Sequence, residues 1–76
     1  MVVLYTDGVS EARQGGSFFG EAGIAEVAGA SAGRPAQAVA DAVVAAALAF
    51  QHGPARDDIA VVVVKVPAPR PQLIRR

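Results

Sequence analysis

The chain contains no cysteine and a single histidine, which excludes a disulfide framework and a thiolate zinc site and leaves none of the usual staples of a small scaffold. It also lacks an excess of charge of either sign: seven basic and seven acidic side chains cancel. No global field therefore draws it to nucleic acid or to an anionic membrane. Long apolar runs are missing as well. The longest fall far short of the ~20 residues needed to cross a bilayer, and no basic segment precedes the first apolar run. Nucleic acid and membrane are thus excluded as expected partners, and a cytoplasmic location follows by default. No internal repeat is visible.

What is present reads as a packed segment. Of the 76 residues, 53% are hydrophobic and only 18% charged, a balance that favours a folded core over disorder. A chain of this length buries only about 60% of the surface its unfolded form exposes. Without a staple, something outside such a core is expected to complete it.

Residues 1–6, MVVLYT, form a β-branched and aromatic run stopped by Asp7-Gly8, the pattern of a strand and turn. Residues 59–66, IAVVVVKV, repeat the character with only Lys65 as an interruption. Neither run alternates polar with apolar, so both are expected to be strands buried on both faces. Between them, Phe18-Phe19-Gly20 precedes a short helix over residues 21–30, in which Ile24 and Val27 share a face. Pro35 then stands where a first helical residue would, its missing N–H costing nothing there. Over residues 36–51, Val39, Val43, Ala47 and Phe50 recur at spacings of four and three, widened by Val44 and Leu48. Gly53 and Pro54 end that helix. Residues 67–76, PAPRPQLIRR, interleave proline with arginine and read as an extended tail that cannot continue a sheet.

The acidic residues fall at strand ends: Asp7 follows the first run, and Asp57-Asp58 precede the second. Paired antiparallel, the two strands would bring these carboxylates to one end of a sheet, where they repel unless a proton or cation intervenes. A hard divalent ion, Mg²⁺ or Mn²⁺, suits oxygen donors of this kind. The spacing also admits a plainer reading, because Asp-Gly after a strand is a common turn and Asp57-Asp58 could form another. Arg56 reads as a solvated neighbour more readily than as a phosphate ligand. His52 reads as a partner of the helix C-terminal dipole more readily than as a general acid.

Three blocks carry a resemblance: LYTDGVSEAR at residues 4–13, FFGEAGIAEV at 18–27 and RDDIAVVVVKV at 56–66. In this order they resemble the end of the bacterial PPM-type (type 2C, SpoIIE-like) protein phosphatases, with the helix of residues 36–51 where that family has its penultimate helix. The resemblance implies an α+β chain, the C-terminal portion of a four-layer α-β-β-α sandwich running strand, short helix, helix, strand. It divides the chain into a partial phosphatase domain over residues 1–66 and a tail over 67–76. It also implies a two-metal centre, Mn²⁺ or Mg²⁺, at which a metal-bound water attacks a phosphoserine or phosphothreonine without a covalent enzyme intermediate. Carried over, Asp7 and Asp57 are the metal ligands, Asp58 the alternative to Asp57, and Gly8 the backbone of the tight metal loop. Adjacent residues of an extended chain face opposite ways, so Asp57 and Asp58 are not expected to serve one ion equally.

The resemblance further implies a phosphorylated protein as substrate, an anti-sigma-factor antagonist among the candidates. The missing N-terminal half of the domain, with the aspartate that bridges both metals, is then a required partner. The chain is therefore expected to be inactive alone and marginally stable or aggregation-prone, with a truncated reading frame, a misplaced start codon or a degraded gene as its origin. A non-catalytic module that pairs through its exposed strand is the alternative function. A haloacid-dehalogenase-like phosphatase would need a D-x-D motif after the first strand, which Thr6-Asp7-Gly8-Val9 does not provide.

Overall fold

A computed structural model describes residues 1–51, 59–66 and 71–76. It shows an α+β chain whose elements, in order, are β1 (Val2–Tyr5), α1 (Asp7–Ser10), β2 (Arg13–Gln14), β3 (Ser17–Phe18), α2 (Gly20–Ala30), α3 (Ala36–Phe50), β4 (Val61–Val64) and β5 (Gln72–Arg75).

β-branched residues fit a pleated, half-buried surface, and the two apolar runs pair as that preference implies. β1 lies at the centre of a three-stranded sheet, β4 antiparallel on one side and β5 parallel on the other. Val3 pairs with Val63 and Leu73, Tyr5 with Val61 and Arg75, and Leu4 with Val62 and Ile74. Paired residues share a face, so the register sorts the sheet into two sides. Val3, Tyr5, Val61, Val63 and Leu73 face a core built with Val9, Ile24, Ala28, Val39, Val43 and Ala47. Val2, Leu4, Val62, Val64 and Ile74 form the opposite face.

That opposite face corrects the expectation that both strands are buried on both sides. Val62 is 57% exposed and Val64 46%, because the helices cover one side of the sheet and no described element covers the other. The tail departs from expectation too. Gln72–Arg75 forms a strand, with the Gln72 N–H donating to the Met1 carbonyl at 2.9 Å and the Arg76 N–H to the Tyr5 carbonyl at 2.8 Å. A proline removes a ladder donor only at its own position. Pro67, Pro69 and Pro71 all precede the paired residues, which contain none.

The two long helices form close to where periodicity puts them, α2 starting one residue earlier than expected and α3 ending at Phe50. Pro35 caps α3 from just outside, with ψ 153, instead of occupying its first turn. Val39, Val43 and Ala47 are buried as expected, Ala40 joins them, and Leu48 stays 49% exposed at the rim. The Phe19 and Phe50 rings pack at 5.7 Å, tying the start of α2 to the end of α3. The expected stop at Gly53 and Pro54 lies outside the described residues. Among the described residues, no helix is long and apolar enough to cross a membrane.

The β2–β3 hairpin also had no counterpart in the sequence reading; it sets Arg13 opposite Phe18 and Gln14 opposite Ser17. Its turn is Gly15-Gly16, and Gly15 takes φ +60, a conformation open to glycine at little cost.

Candidate metal centre at the Asp7 end of the sheet

Thr6 ends β1 in extended backbone (φ −99, ψ 165), and the chain then turns at Asp7 into the single turn of α1. The Val9 N–H donates to the Thr6 carbonyl at 2.9 Å and the Glu11 N–H to the Asp7 carbonyl at 2.8 Å. The backbone of Asp7 is thereby fixed while its side chain remains 54% exposed. Gly8 is a buried residue of this helical turn. The positive-φ glycines among the described residues are Gly15 and Gly20, so the tight turn assigned to Gly8 is replaced by helix at that position.

Pairing between β1 and β4 continues one step past the strands. The Thr6 N–H donates to the Ala60 carbonyl at 3.2 Å, and the Ala60 N–H donates to Thr6 Oγ1 at 3.0 Å. The residue leading into β4 therefore sits beside the residue that precedes Asp7. Asp57 and Asp58, like Arg56 and His52, lie outside the described residues.

Asp7 Oδ1 stands 3.4 Å from Arg75 Nε, and both side chains are more than half exposed. Such a pair is screened by water and contributes about 0–1 kcal/mol. An accessible carboxylate at a strand end offers the hard oxygen that Mg²⁺ or Mn²⁺ takes. Among the described residues, no three histidine, cysteine or acidic side chains gather closely enough to hold a metal ion. Asp7 is thus the one proposed ligand whose position is described.

Beside this end of the sheet lies a shallow cleft of about 530 Å³ lined by Tyr5, Ser10, Glu11, Phe18, Glu21 and Arg75. The Tyr5 hydroxyl donates to Glu21 Oε2. Burial pushes the Tyr5 phenol up from 10.0 to about 12, and the bond to Glu21 pushes in the same direction. The Arg13 guanidinium lies 5.0 Å from the centre of the Phe18 ring, within range of a cation–π attraction. Sequence reasoning missed the Tyr5–Glu21 pair, since sixteen residues separate its members and no local pattern joins them.

A family model described as Stage II sporulation protein E (SpoIIE) matches residues 1–67. No curated protein and no solved structure matches the chain.

Proposed function

The chain belongs to the SpoIIE family, a phosphatase-related family, and from that premise we propose that it is part of a metal-dependent phosphoserine or phosphothreonine phosphatase. In this reading Asp7 and Asp57 hold one divalent cation, with Asp58 the alternative to Asp57. The observation that supports it most is the Thr6–Ala60 pairing, which brings the lead-in to β4 alongside Asp7, the juxtaposition that a shared ion needs.

Bound Mn²⁺ or Mg²⁺ supplies such a centre with a water acidified toward a pKa of ~7 and with charge to offset the phosphoryl oxygens. The chain's own contribution is positional. α1 anchors the Asp7 backbone through the Glu11 N–H, and the β1–β4 pairing holds Ala60 beside Thr6. A second β layer, carrying the remaining ligands, fits on the open face of Val2, Leu4, Val62, Val64 and Ile74, whose paired residues are apolar apart from Gln72. The substrate is a phosphorylated protein, with an anti-sigma-factor antagonist as the leading class.

Mn²⁺ calorimetry on the chain and on Asp7→Asn tests this. Two converging carboxylates are expected to bind weakly, with binding lost in the variant. A folded chain that binds no Mn²⁺ overturns the reading. The alternative, a non-catalytic module pairing through an exposed strand, draws on β4, which among the described residues has a neighbour on one edge only. Self-association or strand pairing that persists in Asp7→Asn, with no Mn²⁺ binding in either chain, would favour it.

A further inference from the structure

β5 is the element that the family does not account for. The matched stretch ends at residue 67, whereas β5 spans Gln72–Arg75 and takes the edge of β1 that β4 leaves free. Its attachment is more than backbone pairing. Leu73 packs against the core, and hydrogen bonds at each end of the strand join Gln72 to Met1 and Arg76 to Tyr5. The parallel register opposes Arg75 to Tyr5, and from there the Arg75 guanidinium reaches the Asp7 carboxylate. A cation seeking Asp7 meets a positive charge already in place.

We propose that the C-terminal strand is an autoinhibitory latch, which closes the free edge of β1 and sets Arg75 on Asp7 so that a divalent cation must displace it. The proposal rests on the reading of Asp7 as a metal ligand. The latch is built to be released. Its ion pair is exposed and weak, its strand is short and at an edge, and Leu73 is its single apolar anchor in the core. Because cation and latch compete for one carboxylate, occupancy by either disfavours the other, and the coupling is reciprocal.

The test is a Mg²⁺ titration of the full chain with ¹³C-labelled aspartate carboxyl groups, followed by NMR together with amide hydrogen exchange at Gln72 and Arg76. Arg75→Gln removes the competing charge at Asp7, and Arg76→Gln removes one charge just past the strand, away from the ion pair. Arg75→Gln is expected to tighten Mg²⁺ binding at Asp7 by roughly two- to fivefold, the range an exposed ion pair allows, with little change in Arg76→Gln. In the unaltered chain, saturation with Mg²⁺ is expected to speed exchange at Gln72 and Arg76. Equal affinity in all three chains, with both amides as protected as before, overturns the latch and leaves the metal reading standing. An Asp7 carboxyl signal that Mg²⁺ moves in none of them overturns both.

Discussion

The two faces of the sheet are built from nearly the same residues and live in different surroundings. On the helix side, Val3, Val61, Val63 and Leu73 pack with Ile24 and Val39 into the core. On the other side, Leu4, Val62, Val64 and Ile74 meet no described element, and Ile74 is 42% exposed. Identical side chains alternate along β4, so side-chain chemistry did not choose the buried face; the helices did. A strand apolar on both faces states a need for two covering layers, and the described residues provide one of them.

The sharpest way to break that contrast is a matched pair of truncations. Ile24, fully buried, and Ile74 lose the same atoms on mutation to alanine. Ile24→Ala is expected to cost about 2–5 kcal/mol in urea denaturation, and Ile74→Ala less than about 1 kcal/mol because water already reaches it. Similar losses would show that the open face is covered in solution. Gly23→Ala probes how tightly the sealed side is packed. An added Cβ would lie 2.7 Å from the Phe19 ring, forcing that ring off Phe50 at an expected cost of about 1–3 kcal/mol.

A further effect on the sealed side is polar. Tyr5 sits on the sealed face with its pKa raised from 10.0 to about 12, so its contribution to stability is complete below pH 10. It is expected to be lost as pH rises from 10 toward 12, where the unfolded phenol ionises and the folded one does not. The loss is on the order of 1–2 kcal/mol and should vanish in Tyr5→Phe, as followed by thermal melts across that range.

How far the sequence foretold this depends on which forces are local. α3 was legible because Val39, Val43 and Ala47 repeat at helical spacing and all three are buried. β1 and β4 were legible from β-branched density alone. Their one-sided burial was not, since coverage is a property of neighbouring layers and a strand carries no record of them. β5 was hidden behind the prolines that precede it, and the small hairpin behind strands of two residues, although Gly15-Gly16 was an available signal. At the site, Asp7 could be found because a carboxylate at a strand end is a local pattern. Its partnership with Arg75 spans almost the whole chain and depends on β5, so it could not be found before the strand itself.

The sheet register has a consequence for how the molecule is made. Val2 pairs with both Val64 and Gln72, so the central strand leaves the ribosome well before either of its partners. At roughly 5–20 residues per second, β1 waits several seconds for β4 and β5 while α2 and α3, whose hydrogen bonds are local, can already form. The helices can then be in place before the sheet closes, and an apolar strand spends that interval without these partners. The order of synthesis thus sets when this sheet can close, and the interval before β4 emerges is when a chaperone has the most to protect.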